Sequence, residues 1–182
     1  HALLACAGVA DGTPGIERIN FIGHRHLIDR AIDKKLLGRG ASIGFISSAA
    51  GLGWEKSFGE LKELLETPDF DGAVAWVEKH GKANYYWMKQ AVCADVSSQA
   101  FPMLKRGIRI NATCPGPTDT PLAQANKETW LGFGADFRGE TGIQASTAME
   151  QAYPLLFLCS DAAVAINGVT LITDAGFMSS GI

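Results

Sequence analysis

An α/β fold built around a parallel sheet is what this sequence predicts, and three observations predict it. Short strand-like runs recur along the chain: ALLACAG from Ala2, which is apolar without alternation, then SIGFISS from Ser42, GIRINATC from Gly107 and GVTLIT from Gly168. An unalternating run such as the first suits a strand covered on both faces. The stretches between the runs carry apolar residues at helical spacing, and glycine or proline punctuates the joins.

At 182 residues the chain is long enough for one domain with a sizeable core, and 47% hydrophobic against 19% charged content fits a globular protein. A formal net charge of −3, with no basic stripe, argues against nucleic acid or an anionic membrane as the main partner. No apolar run is long enough for a membrane span. The four cysteines, Cys6, Cys93, Cys114 and Cys159, form no CxxC pair and mostly sit in apolar runs. They read as reduced core residues of a cytoplasmic protein, with no metal site. Asn111-Ala112-Thr113 matches a glycosylation acceptor but falls inside an expected strand.

In chain order, ALLACAG forms the first strand. After the loop DGTPG, apolar groups at Ile16, Ile19, Phe21, Ile22, Leu27, Ile28, Ala31, Ile32 and Leu36 predict an amphipathic helix that Gly38 stops. His24 and His26 lie two apart, on different faces, which suits surface or subunit contact and not a metal pair. GRGASIG (Gly38 to Gly44) has the spacing of a dinucleotide-binding fingerprint, but it follows a helix and enters a strand. The phosphate loop needs the reverse order, so this is an αβ turn.

The second strand ends at Ser47 and Ser48, where hydroxyls can project from a carboxyl end. Trp54, Phe58, Leu61 and Leu65 then recur at helical spacing. Thr67-Pro68-Asp69 breaks the chain, and a second helical pattern through Val74 and Val77 ends at Gly81. Residues 52–83 thus predict a helical hairpin, with Trp54 and Trp76 either packing it together or walling a flat apolar substrate. A long helix starts near Asn84 and runs towards Phe101, followed by a strand broken at Pro115-Gly116. From Pro117 to Gln144 the chain is polar and Gly-rich, with Trp130, Phe133 and Phe137 interspersed, as in a functional loop. Thr147 and Glu150 have the spacing of a capping box, and Val169–Thr173 supplies the last strand.

The chemistry-bearing stretch is NYYWMK, Asn84 to Lys89. Tyr85 and Lys89 are four apart, so on a helix the phenol and ammonium share a face, and a nearby cation favours the phenolate. Taken in order, Asn20, Ser48, Tyr85 and Lys89 resemble the catalytic tetrad of the short-chain dehydrogenase/reductase family. ACAG at Ala5 to Gly8 stands where that family has NNAG, the PG turn followed by Thr120 matches, and ITDAGF resembles its late VDGG-like run. The helical insertion is similar to that of the subgroup containing 3α-hydroxysteroid dehydrogenase/carbonyl reductase and coniferyl-alcohol dehydrogenase.

The resemblance implies a Rossmann-like doubly wound parallel sheet and a single domain over residues 1–182, the C-terminal two-thirds of the family's unit. In the family's order ALLACAG would be the fourth strand. The expectation is therefore a longer native chain, with three earlier strands and a Gly-rich pyrophosphate loop before His1.

By resemblance, Tyr85 would exchange the proton at the substrate oxygen while Lys89 lowers its pKa and binds the nicotinamide ribose. Ser48, the second of its pair, would hold the substrate oxygen, and Asn20 would anchor a water next to Lys89. NAD or NADP would also meet Ala7, Gly8, Pro115, Gly116, Thr118 and Thr120. Cys6 in place of asparagine removes a hydrogen-bond pair common in the family. The implied activity interconverts an alcohol and a carbonyl on a small apolar, steroid-like or aromatic substrate, in a homodimer or homotetramer. The alternative is a non-catalytic binding or regulatory protein that keeps the fold.

Overall fold

The computed structural model describes residues 1–180. Four strands form a parallel sheet in the order β1 (Ala2–Ala5), β2 (Ser42–Ile46), β3 (Arg109–Pro115), β6 (Thr170–Thr173). Each strand pairs in register with the next, Ala2 opposite Ser42 and Ser42 opposite Arg109, so the carboxyl ends of β1 to β3 reach one rim together. Helices cover both faces. On β2, Ser42 Oγ donates to the Leu158 carbonyl, and a Cβ on Gly44 would lie 2.8 Å from both Leu155 Cδ1 and Cys159 Sγ, so these residues face helix α8 (Ala148–Cys159). Phe45 points the other way, onto His24, from the helix α1 (Gly23–Asp33). Residues i and i+1 of a strand project to opposite faces, and the two-sided burial of SIGFI follows.

β1 differs from the expectation of a strand covered on both faces. Among the described residues it pairs with β2 alone, and Leu4 is exposed while Ala5 is buried.

The approach to α1 is not regular. Arg18–Ile22 form a π-turn in which the Gly23 N–H reaches the Arg18 carbonyl, and α1 proper ends at Asp33, short of the expected stop at Gly38. Lys35, with φ +59, turns the chain out of the helix before that glycine is reached. His24, expected at the surface, is buried and faces the Ala7 carbonyl.

The hairpin over 52–83 is helical, α2 (Phe58–Leu65) and α3 (Phe70–Lys79), with Asp69 capping α3 at Gly72 N, 2.8 Å. Leu61, Leu64, Ala73 and Val77 are fully buried, so the insertion belongs to the main core. Trp76 stacks on His80 at 4.1 Å, and Trp54 meets Phe58 edge-on at 5.6 Å, which is hairpin packing.

Asn84 caps α4 (Tyr85–Lys105), its Oδ1 accepting from Trp87 N at 2.9 Å. This helix is buried nearly all round from Trp87 to Val96 because β3 lies under it and the hairpin beside it. Residues 117–144 are more ordered than the loop their composition predicts. They hold β4 (Thr118–Asp119), which pairs with β5 (Ser146–Thr147), and the short helices α5 (Pro121–Ala125), α6 (Lys127–Trp130) and α7 (Ala135–Thr141). Phe133 and Phe137 both pack on Phe177, at 5.0 and 5.3 Å. The Thr147/Glu150 capping box is present at the start of α8.

Candidate active site

The rim formed by the carboxyl ends of β1, β2 and β3 gathers most of the singled-out residues. Lys89, one turn along α4 from Tyr85, is 4% exposed; its Nζ donates to the Ile46 carbonyl at 2.8 Å and lies 5.4 Å from the Tyr85 ring centroid. Helical spacing alone brings this pair together. Ser48, just past β2, caps a short 3₁₀ turn by accepting from Ala50 N at 3.2 Å and stands beside the Tyr85 phenol. Ser47 is buried and turns away, its Oγ donating to the Lys89 carbonyl at 2.9 Å and touching Cys93 Sγ at 3.2 Å. Of the two serines, Ser48 has the open hydroxyl.

Asn20 sits in the π-turn, fully buried. Its Oδ1 accepts from Val9 N at 2.8 Å and its Nδ2 donates to Val9 O at 3.0 Å, which pins the loop after β1. An extra residue in a helical turn re-aims a side chain, a device frequent at functional sites. Ala7 and Gly8 lie in the pinned loop. A Cβ on Gly8 would sit 3.7 Å from Asn20 Oδ1 and 3.8 Å from Lys89 Nζ, so the backbone of Gly8 lies beside the buried ammonium.

The residues after β3 serve local structure more than expected. A Cβ on Gly116 would meet Asp174 Cβ at 2.7 Å and Cα at 3.1 Å, so the glycine lets the end of β3 pass close to Asp174. Thr118 Oγ1 donates to Gly116 O at 3.0 Å, and Thr120 Oγ1 accepts from Ala123 N at 3.1 Å as the cap of α5. Pro115 closes β3 opposite Thr173.

The electrostatics also correct one expectation. The Tyr85 phenol is pushed above its usual pKa: burial dominates, the Ser48 hydroxyl opposes it, and the Asp11 carboxylate adds to it. An ammonium one helical turn away would lower this pKa, but Lys89 is itself desolvated, which pulls it from 10.5 to about 8. Its Nζ is directed at the Ile46 carbonyl.

Three contacts had no signal in the sequence. Asp11 Oδ1 accepts from Tyr85 N at 2.6 Å across 74 positions, His24 Nε2 donates to the Ala7 carbonyl at 2.9 Å, and Trp130 packs on the Tyr85 ring at 4.8 Å. Cys93 and Cys114 are buried with sulfurs 3.7 Å apart, and Cys159 is half-buried, as expected of core thiols; Cys6 is exposed at the rim. Among the described residues no cluster of His, Cys, Asp or Glu could hold a metal, and no helix is long and apolar enough to cross a membrane.

Comparison with known proteins agrees with this architecture. A family model described as enoyl-(acyl carrier protein) reductase matches residues 69–178. The 3-alpha-hydroxysteroid dehydrogenase/carbonyl reductase of Comamonas testosteroni is 30% identical over 185 residues, spanning 96% of this chain and 71% of that protein. Dehydrogenase/reductase SDR family member 6 of Danio rerio is 36% identical over 99 residues, 51% of this chain and 40% of its own length. Among solved structures, the 3-alpha-hydroxysteroid dehydrogenase from Pseudomonas sp. B-0831 complexed with NADH matches with a TM-score of 0.75 at 22% identity. That match covers 100% of this chain and 75% of that one, and it establishes likeness of fold. The parallel sheet, the two helical layers and these matches together show that the chain belongs to the short-chain dehydrogenase/reductase family of oxidoreductases.

Proposed function

We propose that this chain carries the proton-transfer and substrate-binding part of an NAD(P)-dependent enzyme that interconverts an alcohol and a carbonyl on an apolar, steroid-like or aromatic substrate. One observation carries the reading: Tyr85, Ser48, Lys89, Asn20 and Gly8 converge at one rim of the sheet, with the lysine buried within 5.4 Å of the tyrosine ring.

Carbonyl reduction requires a proton donor at the substrate oxygen, and a phenol whose pKa is raised by burial stays protonated and able to donate. Ser48 Oγ, beside that phenol, donates a second hydrogen bond to the same oxygen and fixes its position. In the oxidative direction Tyr85 takes the alcohol proton as phenolate, and the Lys89 ammonium stabilises that charge. Asn20 acts on geometry by holding the loop at Val9, and with it Gly8 beside Lys89. Lys89 serves there as hydrogen-bond donor to the ribose of a nicotinamide cofactor; when bound, that cofactor supplies or accepts the hydride.

The apolar substrate class is supported by Trp130 against Tyr85 and by the Phe133/Phe137/Phe177 cluster in the segment after β4. It is also supported by the printed activities of relatives, which include a hydroxysteroid dehydrogenase and a 2,5-dichloro-2,5-cyclohexadiene-1,4-diol dehydrogenase. The chain spans 71% of the first of these proteins and 47% of the second, so the activity is assigned to the full-length protein. The test is oxidation of hydroxysteroids and cyclic diols by that protein with NAD or NADP, comparing Ser48→Ala with wild type. A loss of roughly ten- to a thousand-fold in kcat with Ser48→Ala is expected. No turnover on any apolar secondary alcohol or ketone would remove the reading.

A further inference from the structure

The loop after β1 is fastened at three points in five residues. Ala7 O accepts from His24, Val9 is held through both backbone groups by Asn20, and Asp11 accepts the Tyr85 N–H at 2.6 Å. The first two fastenings go to the π-turn and α1. The third alone goes to α4, at the residue that carries the phenol.

We propose that Asp11 is a positioning residue for the acid–base tyrosine, tethering the first turn of α4 to the loop that lines the rim. The proposal rests on the reading of Tyr85 as the acid–base group. The first four N–H groups of a helix lack internal partners. Asn84 satisfies Trp87 N from within the helix's own cap, while the Tyr85 N–H is satisfied from 74 positions away. A carboxylate at the N-terminus of a 21-residue helix gains from the helix dipole as well as from a charge-assisted bond. The Asp11 charge also opposes ionisation of the phenol, adding to the burial that raises the Tyr85 pKa. Asp11 thus does two separable things. Its oxygen holds the backbone of Tyr85 in place, and its charge biases the side chain towards the proton-donor form.

Two substitutions separate these effects. Asp11→Asn keeps an acceptor oxygen and removes the charge; Asp11→Ala removes both. In protein labelled with carbon-13 at the tyrosine Cζ, the Tyr85 resonance is assigned by its loss in Tyr85→Phe, and its titration is followed at low salt. Asp11→Asn is expected to lower the Tyr85 midpoint by about half a pH unit, a shift that a purely structural cap would not produce. Asp11→Ala is expected to speed amide exchange at Tyr85 by roughly tenfold relative to Asp11→Asn, which marks the lost tether. An unmoved midpoint in Asp11→Asn, or unchanged Tyr85 exchange in Asp11→Ala, overturns the proposal. Turnover in full-length Tyr85→Phe reports separately on the acid–base reading, so failure of one is distinguishable from failure of the other.

Discussion

Two buried ionisable residues bear opposite pH signatures. Lys89 has a folded pKa of about 8 against 10.5, so between those values the unfolded chain binds more protons and stability rises with pH. Below about pH 8 the desolvated ammonium is a penalty of roughly 3 kcal/mol, partly offset by its bond to Ile46 O. Lys89→Met should therefore raise the unfolding free energy at pH 7 by about 1–3 kcal/mol, and chemical denaturation across pH 7 to 10 should show the gap closing as pH rises. Asp95 runs the other way. It is fully buried in α4, and desolvation raises its pKa from 3.8 to about 7, with Arg25 opposing and Asp29 adding. The folded chain then binds more protons between those values, and stability falls as pH rises through that window. Asp95→Asn should be more stable than wild type by roughly 2–4 kcal/mol above pH 7, with the difference vanishing near pH 4. A denaturation series over pH 4 to 8 measures this directly. The pairing of Tyr85 with Lys89 was readable from helical spacing, whereas Asn20 and Ser48 were singled out only by resemblance to the family's ordered motif. The direction of the Tyr85 pKa was not readable, because it depends on how much protein surrounds the phenol.

At the level of elements, local patterns were legible wherever periodicity or a cap sets the boundary. The hairpin over 52–83, the start of α4 at Asn84 and the Thr147/Glu150 capping box follow from spacing and N-cap chemistry. The helices between Pro117 and Gln144 did not, because segments of 4, 5 and 7 residues are too short to show a period. Gly116 also carries a meaning that no motif reveals. It lies where the end of β3 passes Asp174, whose carboxylate accepts from Gly176 N at 2.9 Å and Met178 N at 2.8 Å. Gly116→Ala drives a Cβ into Asp174 Cα and Cβ, atoms that cannot rotate away. It should destabilise the chain by about 1–3 kcal/mol, measured by thermal or denaturant unfolding of the chain alone.

For the whole molecule, the parallel register of β1, β2 and β3 sends three loops to one rim, and that rim gathers residues scattered from Gly8 to Lys89. Open α/β sheets place ligands at this edge for the same topological reason. The sheet order explains why Ser48 and Tyr85, 37 positions apart, meet in spite of the helical hairpin between them. The hairpin buries its own leucines against α4 and leaves the rim intact. Contacts between distant loops, such as Asp11 with Tyr85 and Trp130 with the same ring, arise only once the sheet has formed, so no reading of local pattern could reach them.

On the proposed reading Tyr85, and not its exposed neighbour Tyr86, handles the proton. This reading is tested most directly by single-turnover hydride transfer in the full-length protein carrying Tyr85→Phe or Tyr86→Phe. A fall of about a hundred-fold or more is expected for Tyr85→Phe with cofactor affinity nearly unchanged, and a rate within about twofold of wild type for Tyr86→Phe. Equal rates for Tyr85→Phe and wild type would contradict it.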